Sequence, residues 1–288
     1  MDISPRPSGV GLTAVGVAAF RAMETARSDA LFHDPWAERF VAAANLPSDA
    51  GRELFRKADL EQLWTAMAAY MVVRTRFFDQ YLLDAAVAGI PQVVILAAGL
   101  DTRAFRLPWP PGTRLWEVDL PAMIAFKEHV LGDVTPVGDR TTVPADLRLD
   151  WSEALRQAGH RPVLPTVWLA EGLVMYLSPE ENDRLVDRIS ALSATGSRLA
   201  LCAASRAGMP TRLSRTFAED LGEPSLDLDS LWRSDFDQPP ADLLARHGWR
   251  PQVYDAAACA EAYGRPLPDI PAEGEAPPTG WMVTADWS

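Results

Sequence analysis

Val93-Val94-Ile95-Leu96-Ala97-Ala98-Gly99-Leu100-Asp101-Thr102-Arg103 is the stretch that decides the fold. Its first six residues are apolar without interruption and open on three β-branched side chains. That is the composition of a strand buried on both faces of a parallel sheet. Gly99 then provides a turn. Upstream, residues 54–88 repeat apolar side chains at three- and four-residue spacing with no Pro or Gly. The pattern predicts two helices or one bent one, stopped at Gly89 and Ile90-Pro91. A shorter amphipathic helix is expected over about 13–26. Downstream the alternation continues: strands over 114–118, 141–145, 167–170 and 198–204, and helices over 120–131 and 151–158. Ser178-Pro179-Glu180-Glu181 starts another helix, with Ser as N-cap, Pro in the first turn and acids at the positive helix end. Strand, helix, strand in repetition is a doubly wound α/β sheet with right-handed crossovers. A sixth strand is expected over 249–254, a proline-rich loop over 264–280, and an edge strand over 281–287.

Composition narrows the functions open to such a sheet. The 288 residues are 48% hydrophobic and 23% charged, with a net charge of −12. Chains of this kind fold on their own core, and one this acidic suits neither nucleic acid nor an anionic membrane. Residues 208–288 hold 6 basic and 14 acidic side chains, a net −8. Cys202 and Cys259 are isolated, and no two of the four histidines share a metal-ligand spacing. These features argue against disulfides and metal and favour a cytoplasmic enzyme. The apolar stretch 10–20 lacks a basic leader and is too short to span a bilayer, so it reads as helix rather than export signal. One domain fits best: a helical cap (1–90), a cofactor-binding core (91–204), an insertion (205–248) and C-terminal strands (249–288). The stretch 206–240 is too long for an ordinary connection, which predicts a partly helical lid that the N-terminal helix meets across the pocket.

In open parallel sheets, ligands bind beyond the carboxyl ends of the strands, where strand order reverses. Gly99 is the lone glycine of its turn, so the full dinucleotide fingerprint is missing, and a tight turn without ligand is the plain alternative. About 20 residues on, the next strand ends Glu117-Val118-Asp119. Asp119, or Glu117 as the alternative, can accept hydrogen bonds from both hydroxyls of an adenosine ribose. Asp146-Leu147 ends the third strand, where a carboxylate and a backbone N–H can meet an adenine. Glu171 ends the fourth and can meet an ammonium. Acids at successive strand ends suit a cofactor carrying an ammonium and a sulfonium and repel a pyrophosphate. Charge alone therefore favours S-adenosylmethionine over NAD.

These residues resemble the leucine carboxyl methyltransferase family, in its bacterial S-adenosylmethionine-dependent branch. The resemblance is carried by Leu12-Thr13-Ala14, Phe32-His33-Asp34-Pro35, Arg74-Thr75-Arg76-Phe77-Phe78-Asp79, Ala97 to Arg103, Glu117 to Pro121, Asp146-Leu147 and Ala170 to Leu177. It implies a class I methyltransferase fold with a seven-stranded sheet and an antiparallel last strand. It implies that Arg74 pairs with the cofactor's methionine carboxylate, Gly99 lines its methionine part, Asp119 holds the ribose, Asp146 and Leu147 frame the adenine, and Glu171 binds the α-ammonium. The turn departs from the better-known members, Ala97-Ala98-Gly99 standing where they have Gly-x-Gly. Arg74 and Arg76 are two apart on a helix and cannot share a pocket; the resemblance selects Arg74. Asp79 is expected to support an arginine, and Asp101 to cap the following helix.

Methyl transfer is an in-line displacement that depends on alignment. A carboxylate nucleophile is already ionised near pH 7 and needs no base, whereas an alcohol does. No histidine falls at a strand carboxyl end, which favours a carboxylate or acidic hydroxyl of a small-molecule acid as acceptor. Tyr176, either a core residue or a catalytic hydrogen-bond donor to the acceptor, and an arginine (Arg21, Arg206 or Arg212) are the candidates to hold it. The rival functions are a nicotinamide oxidoreductase and a catalytically silent protein that binds S-adenosylmethionine.

Overall fold

The computed structural model describes residues 7–44, 58–205, 228–268 and 280–288. Strand β1 (Gln92–Leu96) forms in the apolar run, with all five residues buried. It pairs in parallel with β2 (Arg114–Asp119) on one side and β4 (Thr166–Ala170) on the other. Strand β3 (Asp139–Pro144) extends one wing, and β5 (Arg198–Ala204) the other, both parallel to their neighbours. Strand β6 (Arg250–Asp255) and β7 (Gly280–Asp286) complete a seven-stranded sheet of order β3-β2-β1-β4-β5-β7-β6. Order reverses between β1 and β4, so the crevice for a ligand opens beyond their carboxyl ends.

Strand β7 is antiparallel to both β5 and β6, as the family resemblance implies, but it is not an edge strand. It lies between β5 and β6, and its central residues are buried. The alternation in 281–287 is a correct strand signal; the position is set by pairing with β5, far back along the chain, which local pattern cannot carry.

Successive side chains of each strand point to opposite faces, and the two faces have separate cores. On one, Val93, Ile95, Val167 and Leu169 pack with Val73, Phe78 and Leu82 of α3 (Ala58–Val87) and with Val15 and Ala18 of α1 (Val10–Thr25). On the other, Val94, Leu96, Trp116 and Trp168 meet Leu155 of α6 (Ser152–Gln157) and Leu185 and Ile189 of α7 (Pro179–Ala191). Helix α3 is one helix of 30 residues rather than two. The short α2 (Ala37–Ala43), α4 (Arg103–Arg106) and α5 (Pro121–Leu131) fill the first face. Helix α7 begins at the expected N-cap Ser178, and the structure adds a capping box: Ser178 Oγ accepts from the Glu181 N–H and Glu181 Oε2 from the Ser178 N–H.

Helix α1 packs on α2 and α3. Most of the expected lid, 206–227, lies outside the described residues. The chain re-enters at α8 (Leu228–Leu231), and the N–H groups of Arg233 and Ser234 then donate to Met175 O. The insertion is thereby tied to the turn that carries Tyr176. Helix α9 (Ala241–Arg246) and α10 (Ala256–Ala262) flank β6.

His160 has a structural place. It is buried between Trp116 and Trp168, ring centroids 5.6 and 5.3 Å away, with Nε2 3.0 Å from Thr166 Oγ1. Burial, and secondarily the charge of Arg156, lower its pKa to about 4. Unfolded histidine titrates near 6.5, so the stabilising difference is complete above that pH and is lost as pH falls through 6.5 towards 4. Wild type should lose on the order of 2 kcal/mol more stability than His160→Gln between pH 7.5 and 4.5, measured by urea denaturation. Equal losses would contradict this assignment.

Candidate functional site

The carboxyl edge of the sheet opens into a cavity of about 930 Å³ that touches the ends of β1, β2, β3, β4, β5 and β7. Every site residue expected from the sequence lines it: Arg74, Gly99, Asp119, Asp146, Leu147, Glu171 and Tyr176. Glu117 does not. It is buried beneath the sheet, paired with Lys127 at 2.8 Å and Arg140 at 2.7 Å, which leaves Asp119 as the acid at the end of β2.

Asp119 is held by backbone alone. Its Oδ2 accepts from the Gly99 N–H at 2.5 Å and its Oδ1 from the Leu120 N–H at 2.6 Å. Burial raises its pKa against those two bonds. Of the three acids Asp119, Asp146 and Glu171 it alone has no salt bridge, so its remaining lone pairs face the cavity as neutral-donor acceptors. The turn above it is tight. Gly99 has φ 48°, and Ala97 has φ 49°, the one non-glycine with positive φ in the described residues. Ala97 thus adopts the backbone that favours glycine in relatives with Gly-x-Gly, at a cost of about 1 kcal/mol. A Cβ on Gly99 would stand 3.4 Å from Ala14 Cβ, so α1 closes directly over this turn.

Glu171 has the opposite surroundings. Its Oε1 accepts from Arg74 Nε at 2.8 Å and its Oε2 from Arg103 Nη1 at 2.7 Å. Arg103 also binds Asp101 and Asp79, and Arg106 clamps Asp79 through two bonds of 2.6 and 2.7 Å. The chain of contacts continues from Arg106 Nε to Thr102 Oγ1, then to Asp34 and Arg21. Asp79 supports two arginines, as expected of it. Asp101 accepts from the Arg103 N–H, in the manner of a cap, and it also pairs with that guanidinium. Burial opposes its ionisation, yet Arg103 outweighs it and brings the carboxyl down to about 2. Arg76 points elsewhere, to Gln80 and over the Tyr263 ring. Arg21, a candidate for the acceptor, is engaged by Asp34 and the Leu100 carbonyl; Arg206 and Arg212 lie outside the described residues.

Asp146 sits at the rim, partly exposed and paired with Arg148 at 2.6 Å, with Leu147 buried beside it. Tyr176 is in the 3₁₀ turn Val174–Tyr176 and lines the cavity rather than the core. Burial raises its phenol, against hydrogen bonding with Thr13 and Trp232. Tyr70, a lining residue that the sequence motifs do not single out, stands one helical turn before Arg74, whose guanidinium lies 5.9 Å from its ring centroid. The i, i+4 spacing to Arg74 is the signal that points to it.

This set fits S-adenosylmethionine: a neutral-donor acceptor for a ribose, a carboxylate and a guanidinium side by side for a zwitterionic amino-acid end, and an apolar slot beside Leu147. Among the described residues, no cluster of His, Cys, Asp or Glu is arranged to hold a metal, and no helix is long and apolar enough to cross a membrane.

Fold and site together define a class I methyltransferase. The chain belongs to the leucine carboxyl methyltransferase family, whose model matches residues 14–190. It is 45% identical to a protein of Parafrankia sp. (strain EAN1pec), over 96% of this chain and 87% of that one. It is 43% identical to a protein of Streptomyces coelicolor, over 97% and 96%. Both are provisionally named S-adenosyl-L-methionine-dependent methyltransferases. Among solved structures, a DUF574 family protein from Streptomyces avermitilis shares the fold with TM-score 0.60 at 17% identity, covering 94% of this chain and 97% of its own. A provisionally named methyltransferase from Thermobifida fusca does so with TM-score 0.52 at 20% identity, covering 100% and 97%.

The two kinds of ion pair differ in weight. Asp79→Asn takes the close carboxylate from buried Arg106, leaving it Asp34 at 4.0 Å, and should cost about 3–5 kcal/mol. Asp146→Asn, at the solvated rim, should cost under about 1 kcal/mol. Guanidinium chloride unfolding of the two variants checks the contrast, and similar losses would contradict it.

Proposed function

We propose that this chain transfers the methyl group of S-adenosylmethionine to a carboxylate, or an acidic hydroxyl, oxygen of a small-molecule acid. Methyl transfer from S-adenosylmethionine is the activity of the family to which the chain belongs and of the names its relatives carry. The observation that carries the cofactor half of the reading is the paired environment of two strand-end acids. Asp119 is desolvated and free of any salt bridge; Glu171 is flanked by two arginines.

In this reading Asp119 accepts from the ribose hydroxyls, and Gly99 keeps the turn close to the methionine part. Leu147 and Asp146 border the adenine. Glu171 receives the α-ammonium while Arg74 turns to the α-carboxylate; Arg103 stays on Glu171 and keeps it oriented. When bound, S-adenosylmethionine supplies a methyl group on a positively charged sulfur. The acceptor oxygen enters as its anion, and its lone pair forms the new O–C bond. The C–S electron pair remains on sulfur, one positive and one negative charge disappear, and no proton moves. A reaction of that balance needs alignment and a dry site rather than a base. Tyr176 supplies a hydrogen bond to the acceptor oxygen. We read residues 1–90 as a cap, 91–204 as the cofactor core, 205–248 as an insertion and 249–288 as the C-terminal strands; of the cap, Ala14 of α1 stands against the Gly99 turn.

Asp119→Ala removes the ribose acceptor. It should weaken S-adenosylhomocysteine binding tenfold or more, about 1–3 kcal/mol, while the ligand-free melting temperature changes little. Titration calorimetry reads the affinity, and an unchanged value would remove Asp119 from the site. A screen of aryl and alkyl carboxylic acids and phenols for methyl incorporation tests the acceptor class. Product from amines alone would overturn it.

A further inference from the structure

We propose that Tyr70 joins Tyr176 in binding the anionic oxygen of the methyl acceptor, and that the acceptor is a flat, apolar acid bearing a single negative charge. This inference rests on the cofactor assignment above and concerns the half of the cavity that assignment leaves over.

The sheet itself divides the cavity. Asp146, Asp119, Gly99 and Glu171 follow β3, β2, β1 and β4, in the spatial order of the strands. Beyond Glu171 lie the ends of β5 and β7, where Ala204 faces Gly280. Tyr70 reaches that corner. A Cβ at position 280 would lie 2.5 Å from Tyr70 Cε2 and 3.0 Å from its hydroxyl oxygen. Glycine at 280 is therefore the condition for the phenol to rest against the sheet edge. The cavity's apolar and aromatic lining includes Met67 and Met71, on the same helix as Tyr70, Met175 next to Tyr176, and Trp232 and Leu267. Such a surface takes up flat apolar ligands and penalises additional charges that it cannot solvate.

Among the described residues, the polar groups offered to an acceptor in this half are the hydroxyls of Tyr70 and Tyr176. Among the described residues each arginine on the cavity wall already has a carboxylate: Arg21 has Asp34, Arg74 and Arg103 have Glu171, Arg106 has Asp79, and Arg148 has Asp146. Burial pushes both phenols up, well clear of neutral pH, so each keeps its proton and acts as a donor. Two neutral donors hold one oxyanion without adding charge to the pocket. They also leave its oxygen more nucleophilic than a guanidinium clamp would.

The test uses the full chain saturated with S-adenosylhomocysteine, with 2-naphthoate as the flat mono-acid and adipate as the polar di-acid. Calorimetry should find naphthoate binding at least tenfold tighter than adipate. Tyr70→Phe should weaken naphthoate fivefold or more while S-adenosylhomocysteine affinity stays within threefold. Gly280→Ala, which displaces the phenol without removing it, should reproduce that loss. Circular dichroism and melting temperature establish that each variant is folded. Naphthoate binding that is undetectable, weaker than adipate or indifferent to Tyr70→Phe overturns the inference and leaves the cofactor assignment standing. Failure of wild type to bind S-adenosylhomocysteine takes down both.

Discussion

A buried lattice of guanidinium and carboxylate groups holds this molecule's working edge together. Arg74 and Asp79 come from α3, Asp101, Arg103 and Arg106 from the turn and short helix after β1, and Glu171 from the end of β4. Asp34 and Arg21 extend it into the N-terminal cap. Such pairs add little net stability, because desolvation consumes most of their attraction. They add discrimination: any other seating of α3 over the sheet would strand a charge in the interior. The cavity wall, Tyr70 included, is a consequence of that seating.

In the proposed function the same lattice receives a zwitterion. Glu171 is bound by two arginines from different elements, so one can leave for an incoming carboxylate while the other keeps the acid in place. Asp119 is kept apart from all of this and relies on two backbone N–H groups. Two carboxylates at the ends of nearby strands thus have different surroundings, and in the proposed function one meets hydroxyls and the other an ammonium. The difference comes entirely from their surroundings.

Much of the architecture is legible in the sequence, because its signals are local. The apolar run of β1, the glycine turn after it, the acid ending β2 and the Ser178 N-cap each announce themselves within a few residues. The support role of Asp79 is legible from its place near Arg74 and Arg76, although its partners are Arg103 and Arg106. What escapes depends on distance along the chain. Strand β7 reads as a strand but not as an interior one, since its place between β5 and β6 is fixed by pairing alone. Tyr70 reads as one more aromatic in a helix; its place on the cavity wall emerges only when Gly280, far along the chain, lets it lie against the sheet. Ala97 stands out in the sequence as a departure from glycine, and the structure adds that the backbone there keeps the glycine-like φ of 49°.

The central claim is that Asp119 and Glu171 divide the two ends of one cofactor between them. A crystal structure of the complex with S-adenosylhomocysteine tests it most directly. The ribose hydroxyls should bond Asp119, and the adenine should lie beside Leu147. The α-ammonium should contact Glu171, with Arg74 moved from Glu171 Oε1 to the ligand carboxylate and Arg103 unmoved. A ligand bound with Asp119 uncontacted, or with the Arg74–Glu171 pair intact and the ammonium elsewhere, would contradict the account.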